Sequence, residues 1–399
     1  MKFLEFVLME AVTDEAQLSH LEHVEDHAIH GGEAGFHHAI SNLEDVHHAL
    51  SGHDVGDRHM HVSQKLDGSP SIIAGHHPKT GKFFVATKSA FNKEPKINYS
   101  EEDVDKNHGH APGLASKLKL ALKHLPKTLP KHGVYQGDVM HSREDRHDDG
   151  EHVHFKPNTI TYSIHKDHPD YHKANSAHIG VAFHTKYEGT PDSDHHINGM
   201  HATFTPDHHN FKPHSDVHLV SPNMDVRKSA YTPEKKSAVE HELRNAKAVH
   251  ENIHPSEYAA VQHHEGPLKT YINSTVRTGE TPSHAGYRTH LHAKLAKAVD
   301  GMKSAKGKES KQQLMDTSLA HVDNHKHAFT KVLQVHKHLQ NAKNHIVDAL
   351  STHQEYAHSV NGERVKPEGF VVVKHGRPSK FVDRNEFSKL NFENNRGRV

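Results

Sequence analysis

Short segments that alternate apolar with polar residues occupy much of the first half of the chain. Those at 59–66, 70–75 and 82–87 are rich in β-branched and aromatic residues and end at turn residues, which predicts antiparallel strands. The last two enclose Pro-Lys-Thr-Gly at 78–81, a sequence that predicts a hairpin turn. Further strands are predicted in three later segments: 133–140, 154–164 and 178–187. The charged segment 143–154 between them predicts a loop.

Helical periodicity appears on both sides of this region. Residues 1–52 predict one or two short helices, and residues 114–124 predict an amphipathic helix that ends before Pro126. Later helices are predicted from apolar residues at helical spacing in three segments: 233–253, 289–302 and 308–351. Strand character returns at 364–384, which indicates that the last strand rejoins the first sheet.

These elements predict an α+β fold in which an antiparallel-sheet domain is interrupted by a large, mostly helical insertion. The predicted parts are an N-terminal helical segment at 1–57, a sheet domain at 58–190 and 361–399, and the insertion at 191–360. A length of 399 residues is compatible with two or three domains.

Composition narrows the class of protein. The chain has no cysteine, so disulfides and thiolate metal sites are excluded and a reducing cytoplasm is expected. Because no apolar run approaches about 18 residues and no signal-peptide cleavage site is apparent near the start, we expect neither a membrane span nor secretion. A formal net charge of −1 gives no overall basic signature for nucleic acid.

Fifty histidines are the strongest compositional bias. They are spread along the chain, so metal storage is a disfavoured interpretation. His152 and His154 form an H-x-H pair that could bind metal, but so many histidines would produce such pairs by chance.

The main candidate for a catalytic residue is Lys65. It is followed by Leu66 and then by Asp-Gly, which predicts a tight turn. A lysine becomes a nucleophile when burial or neighbouring cations favour the neutral amine. Near the other end of the chain, Glu368 precedes an apolar strand, and Lys374 and Lys380 follow it. A carboxylate beside two lysines suits a metal–nucleotide site, because the acid holds Mg²⁺ while the lysines neutralise phosphate oxygens.

The sequence Lys65-Leu-Asp-Gly resembles motif I of the covalent nucleotidyltransferases, which include ATP-dependent DNA ligases, RNA ligases and mRNA-capping enzymes. Glu368-Gly-Phe-Val resembles motif IV, and either Lys380 or Lys374 then matches the motif V lysine. The segment ending at Asp138 resembles motif III, with Asp where the family usually has Glu. The segment ending at Phe183 resembles motif IIIa, whose aromatic ring stacks on the purine.

This resemblance implies catalytic roles for Lys65, Lys380 and Lys374, and metal binding by Asp138 and Glu368. The nucleotide-binding residues that it implies are Gln64, Asp67, Gly68, Lys88, Asp138, Phe183 and Glu368. The implied cofactors are ATP and Mg²⁺ or Mn²⁺.

DNA ligases usually carry arginine five residues after the motif I lysine, where this chain has Pro70, so the motif looks closer to that of phage RNA ligases. Two departures from the family pattern follow, and the second disfavours DNA ligases and capping enzymes. The insertion at 191–360 is far longer than usual, and too few residues follow position 384 for the C-terminal OB domain of those relatives. The sequence therefore predicts an ATP-dependent polynucleotide ligase, with RNA favoured over DNA, in the cytoplasm (the host cytoplasm if phage-encoded). The alternatives are another nucleotidyl transfer and a non-catalytic interaction or structural protein that retains the fold.

Five lysines without an acidic residue among them lie between positions 114 and 131. They are a candidate contact for nucleic-acid phosphates, with a solvated helix face as the alternative. They are Lys117, Lys119, Lys123, Lys127 and Lys131.

Overall fold

The structure, a computed structural model, describes residues 21–53, 60–193, 196–204, 210–221 and 223–384. Within these ranges it is a mixed α/β fold with largely antiparallel sheets, which confirms the predicted fold class at that level. Parts of two predictions lie outside the described residues. They are residues 1–20 of the predicted N-terminal helices and residues 385–399 of the predicted sheet domain.

Strands and helices are numbered here in chain order. The strands are β1 (Met60–Gln64), β2 (Ser71–His76), β3 (Phe83–Ala86), β4 (Ile97–Asn98), β5 (Gly133–Ser142), β6 (Arg146–Asp148), β7 (His152–Phe155), β8 (Thr161–His165), β9 (Ile179–Glu188), β10 (His201–Phe204), β11 (Val217–Leu219), β12 (Ala357–Val360), β13 (Glu363–Arg364), β14 (Phe370–Lys374) and β15 (Arg377–Phe381). The helices are α1 (His27–His30), α2 (Gly32–Leu50), α3 (Glu101–His108), α4 (Pro112–His124), α5 (Tyr171–Ser176), α6 (Pro233–His250), α7 (Pro255–Gln262), α8 (Glu265–Thr278), α9 (His284–Asp300), α10 (Ala305–Asn324) and α11 (Lys326–Leu350).

A large sheet with the order β10-β9-β5-β2-β3-β4 forms the centre of the sheet region, and β11 joins β9 in parallel. Strands β2 and β3 form the predicted hairpin, whose turn is closed by the backbone N–H of His77 donating to Lys82 O at 2.9 Å. Helix α4, confirmed close to its predicted position, buries Leu118 and Ala121 against one face of this sheet. The apolar face of α4 therefore packs on the apolar side chains that alternate strand residues direct to this face of the sheet.

A second sheet, with the order β13-β12-β8-β7-β6, corrects two predictions. The charged segment 143–154 is not simply a loop, because β6 lies within it and pairs with β7 in an antiparallel hairpin. The segment 154–164 is not one strand, because a turn containing Pro157 separates β7 from β8. Proline has no N–H to donate to a neighbouring strand, which explains the interruption.

The third sheet has the order β1-β14-β15 and joins residues from distant parts of the sequence. One of its faces packs against the helices, and Phe370 and Val372 of β14 share a core with Phe36 of α2 and Leu339 of α11. The last strands therefore return to β1, the first strand, but the sheet that they form with it is separate from the sheet that contains the hairpin of β2 and β3. The N-terminal helices and the helices after Pro233 share this one core with β1 and β14.

Part of the predicted helical insertion contributes to the large sheet. Strands β10 and β11 lie within 191–360, yet both pair with β9. The long helices begin only at Pro233, where Thr232 accepts a hydrogen bond from Lys235 N–H as the N-cap of α6. No helix in the described parts of the chain is both long and apolar enough to cross a membrane.

A buried ionic cluster ties the start of the described chain to its end. Lys343 Nζ of α11 lies 2.8 Å from Glu25 Oε1, and His336 Nε2 lies 2.9 Å from Asp26 Oδ1. Arg384 donates to the Asp26 carboxylate just after β15. Burial alone would raise the pKa of Glu25, but Lys343 and Arg384 outweigh it and hold that pKa at about 2. The cluster therefore holds charged groups in a core because each has an opposite charge beside it.

Candidate functional site

Lys65 follows β1 directly, and the pairing of β1 with β14 determines its neighbour. Gln64 lies opposite Phe370, and the Lys65 N–H donates to Gly369 O at 2.8 Å. This register places Lys65 beside Glu368, and Lys65 Nζ donates to Glu368 Oε1. The two residues are 303 positions apart in sequence. The amine and the carboxylate that the resemblance singles out therefore share one site.

Two glycines allow the close approach of chain segments around this pair. Gly369 has a φ of +152°, and a Cβ atom there would lie 2.6 Å from Phe381 O. A Cβ atom on Gly68 would lie 2.5 Å from Asp138 Cβ. Any side chain at Gly68 would push the segment after Lys65 away from β5, so glycine brings Lys65 and Asp138 to the same region.

Glu368 and Asp138 are the two carboxylates that the sequence predicts as metal ligands. Burial raises the pKa of Glu368, although the Lys65 cation opposes that rise. Burial also raises the pKa of Asp138, against the opposing charges of His184 and Lys65 and a hydrogen bond from Ser71. Glu368 Oε2 is buried and has no hydrogen-bond partner among the described residues. A buried carboxylate oxygen without a partner is a suitable ligand for a divalent cation such as Mg²⁺.

Lys380 and Lys374 lie on opposite faces of the three-stranded sheet. Directly opposed residues of antiparallel strands point to the same side, so Lys380 shares the face of its partner Val371. Lys374, three residues beyond Val371, points to the other side, where it contacts Ser41 and Asp45 of α2. The structure thus separates Lys374 from the Lys65 site, which corrects its predicted catalytic placement.

Lys380 lies close to the Lys65–Glu368 pair. Burial lowers the pKa of Lys380, the charge on Lys65 lowers it further, and Glu368 opposes both effects. Of the two lysines that matched motif V, Lys380 is therefore the one that lies at the site.

Phe183 does not face the site, which corrects its predicted role as a stacking residue. Its side chain is 1% exposed and packs in the core beneath the large sheet, with its ring 5.4 Å from that of Phe211. The next residue of β9, His184, projects from the opposite face because side chains alternate along a strand. His184 Nε2 lies 3.7 Å from Asp138 Oδ2, and its ring stacks on Phe204. On β9, the ring beside Asp138 is therefore the imidazole of His184.

Asp67 links the segment after Lys65 to the second sheet. Its backbone N–H donates to the Tyr162 hydroxyl at 2.7 Å, and its Oδ2 accepts from the Asn158 amide at 2.9 Å. The carboxylates of Asp67, Glu368 and Asp138 all raise the pKa of Tyr162, and burial raises it most. The charges of three acidic side chains therefore act on one buried hydroxyl.

Lys88 and Gln64 are the two remaining residues that the resemblance predicts as nucleotide contacts, and their surroundings differ. Lys88 is exposed, and its charge helps to lower the pKa of His184 after the larger effects of burial and of Lys65. Gln64 is buried on the same face of β1 as Val62, which packs in the helical core. Strand alternation thus directs Gln64 away from Lys65, and that predicted contact is not brought into the site.

A model of a protein family matches residues 18–396, which is nearly the whole chain. The chain belongs to DUF6267. The description of DUF6267 is a family of unknown function. No curated protein and no solved structure matches this member of the family.

The lysines predicted to contact nucleic acid form a less uniform surface than their sequence suggests. Within this DUF6267 chain three of the five have acidic partners: Lys117 Nζ lies 2.8 Å from Asp145, Lys119 Nζ lies 2.8 Å from Asp105, and Lys127 Nζ lies 2.6 Å from Asp216. The other two, Lys123 and Lys131, are exposed. Asp145, Asp105 and Asp216 lie outside residues 114–131, so the absence of acidic residues within that segment does not reveal these ion pairs.

Four residues of the candidate site are not among those that the sequence predicts. Ser71 lies directly opposite Asp138 on β2, and His184 lies on the same face of the large sheet. Both contacts depend on the pairing of β5 with β2 and with β9, which the sequence does not give. Tyr162 and Asn158 reach the site from the second sheet, and no sequence pattern indicates that contact.

Proposed function

We propose that this protein is an ATP-dependent polynucleotide ligase that acts through a covalent lysyl-AMP intermediate, with RNA favoured over DNA. The observation that carries the proposal is the contact of Lys65 Nζ with Glu368 Oε1 across 303 residues of sequence. The motif order of the covalent nucleotidyltransferases requires these two positions to meet, and chance similarity gives no reason for them to do so. Lys380 and Asp138 beside them support the same function.

In the proposed reaction, the neutral amine of Lys65 attacks the α-phosphorus of ATP. A nitrogen–phosphorus bond forms, the bond to pyrophosphate breaks, and the amine proton passes to a nearby base. Lys380 stabilises the negative charge that builds up on the phosphate oxygens. Mg²⁺, held by Glu368 and Asp138, would neutralise phosphate charge in the same pocket.

Two further steps complete ligation. An oxygen of a strand's 5′-phosphate attacks the AMP phosphorus, and the nitrogen–phosphorus bond to Lys65 breaks. A 3′-hydroxyl then attacks the activated 5′-phosphate and releases AMP. The chain's contribution is mainly positioning and charge stabilisation, which are the usual sources of rate in phosphoryl transfer.

The decisive experiment is incubation with α-labelled ATP and Mg²⁺ followed by a denaturing gel. We expect a labelled band in the wild type, none in Lys65→Ala, and wild-type labelling in Lys156→Ala, since Lys156 is an exposed lysine outside the site. A wild type that stays unlabelled with ATP and with GTP contradicts the proposal and favours a non-catalytic interaction protein. Labelling with GTP alone indicates a different nucleotidyl transfer.

The substrate class is tested separately with 5′-phosphorylated RNA and DNA strands of the same sequence. We expect sealed RNA from the wild type and none from Lys65→Ala. Faster sealing of DNA would contradict the preference for RNA and leave the lysyl-AMP step intact.

A further inference from the structure

Four histidines lie on one face of the second sheet. His147 of β6 lies opposite His154 of β7, and His152 lies opposite His165 of β8. The alternate residues Val153, Phe155 and Ile164 point to the other face and form a core. The H-x-H spacing on β7 therefore places both imidazoles on the solvent side, next to imidazoles of two neighbouring strands.

The hairpin turn between β6 and β7 adds a carboxylate to this face. Asp149 Oδ1 accepts hydrogen bonds from the backbone N–H groups of Glu151 and His152, at 2.9 and 2.6 Å. Asp149 Oδ2 lies 2.9 Å from His154 Nε2. On the far side of that ring, His154 Nδ1 lies 2.8 Å from Ser163 Oγ. The turn holds the carboxylate in place, and Ser163 orients the imidazole towards it.

From this arrangement we infer a binding site for a divalent transition-metal ion such as Zn²⁺, with Asp149, His152 and His154 as ligands. One ligand atom from each residue lies within 4.8 Å of the other two. Ligand atoms of a tetrahedral zinc ion are about 3.4 Å apart, so small rotations of these partly exposed side chains close the site. Two imidazoles and a carboxylate suit Zn²⁺, and the fourth position is left for water.

The hydrogen bond between His154 Nδ1 and Ser163 is what a metal-binding histidine needs. In the metal-free chain the Asp149 carboxylate can only accept, so His154 Nε2–H donates to it and Nδ1 accepts from the Ser163 hydroxyl. On metal binding the proton would move to Nδ1, which would donate to Ser163 Oγ and leave the Nε2 lone pair for the metal. In the chain as described, the Asp149–His154 contact occupies the position that the ion would take between them. Binding would replace one hydrogen bond by three metal–ligand bonds.

Another acid–histidine cluster offers a useful contrast. Glu25, Asp26 and His336 also lie within ligand distance of one another. Their carboxylates already face the cations of Lys343 and Arg384, so positive charge is supplied there without a metal. The Asp149 site has no lysine or arginine ion-paired to its carboxylate in the described residues.

A metal at this site would stiffen the sheet that supports the Lys65 region. The sheet carries Tyr162 and Asn158, both of which bond to Asp67. The inference does not depend on ligase activity, because it rests on the hairpin residues alone. Its test therefore uses metal binding and not nucleotide labelling.

The test is titration of the metal-free full-length protein with ZnCl₂ in competition with a zinc indicator dye. We expect one tight step, at micromolar free zinc or below, above the weak background that many surface histidines produce. His152→Ala/His154→Ala should lose this step, while the control His292→Ala/His327→Ala, which removes two exposed histidines elsewhere, should keep it. Ser163→Ala leaves all ligands in place and should weaken binding about tenfold or more.

The same proteins are examined with Co²⁺, whose visible absorption reports tetrahedral coordination by nitrogen and oxygen. Equal melting temperatures of the metal-free proteins would show that the exposed substitutions leave the fold intact. The inference is overturned if the wild type has no tight step, or if the step survives in His152→Ala/His154→Ala. Loss of the step in His37→Ala instead, with the hairpin variant unaffected, would assign it to the Glu33–His37–His250 cluster.

Discussion

The two carboxylate oxygens of Glu368 have different surroundings. One accepts from Lys65, and the other is buried without a hydrogen-bond partner among the described residues. Burying a charged oxygen in this way costs stability unless a ligand supplies the missing contact. A group kept in such a place is typical of a binding site, and Glu368 lies where the proposed metal would bind.

The contrast between Lys380 and Lys374 gives a residue-scale prediction. Lys380→Met should reduce labelling by α-labelled ATP at least 100-fold, because a charge beside the phosphate is lost. Lys374→Met should keep labelling but lower the free energy of unfolding by about 1–3 kcal/mol, because it removes the cation beside the buried Asp45 carboxylate. Gel labelling and urea unfolding of both variants test the two expectations. Equal loss of labelling in both would contradict the placement of Lys380 at the site and Lys374 on the opposite face of the sheet.

At the scale of elements, the alternating strands were largely predictable, whereas their register was not. The hairpin of β2 and β3 and the helix α4 follow from local pattern, because turn residues and apolar spacing are present in one short segment. Phe183 was misassigned because motif similarity gives a position along β9 but not the face to which a side chain points. The hairpin of β6 and β7 was missed because its exposed face consists of charged residues and histidines.

The candidate site was predictable to a similar extent. Lys65 and Glu368 could be paired from sequence because the segments around them resemble two motifs that occur together in one family. Ser71 and His184 depend on strand pairing, and Tyr162 depends on the packing of a second sheet against the first. Such contacts arise from tertiary structure, which no local sequence window contains.

The lysine surface on and after α4 gives an element-scale prediction. Lys123→Gln/Lys131→Gln should weaken RNA binding more than Lys119→Gln/Lys127→Gln, because acids already neutralise the second pair. Each lost phosphate contact should reduce the slope of log affinity against log salt by about 0.7 for a single strand. Fluorescence anisotropy at several salt concentrations measures this. Unchanged RNA binding in both variants would remove this surface from the proposed RNA contact, and equal weakening would show that the acidic partners do not decide which lysines bind.

The whole molecule contains many histidines that folding keeps neutral. Burial lowers the pKa of His358 and His30 to about 4 and that of His264 to about 3. In the unfolded chain these rings titrate near pH 6.5, so below that pH the unfolded state binds more protons than the folded state. Acid therefore favours unfolding through these residues.

The resulting prediction concerns stability against pH. The free energy of unfolding should fall as pH decreases from about 6.5 to about 4, with about 3 kcal/mol from a fully buried ring such as His358. Urea midpoints measured across this range test the slope, and His358→Leu should reduce it by removing one titrating group. A wild-type midpoint that does not change between pH 7 and pH 4 would show that the buried rings do not control acid stability.

The pairing of β1 with β14 also has a consequence for synthesis. A ribosome adds Lys65 first, and its carboxylate partner Glu368 follows only 303 residues later. The nascent chain must keep an unpaired strand edge in the meantime, and edges of that kind favour aggregation. Any chemistry that requires both groups can begin only after Glu368 has been added, so translation products that end before it carry Lys65 without its partner.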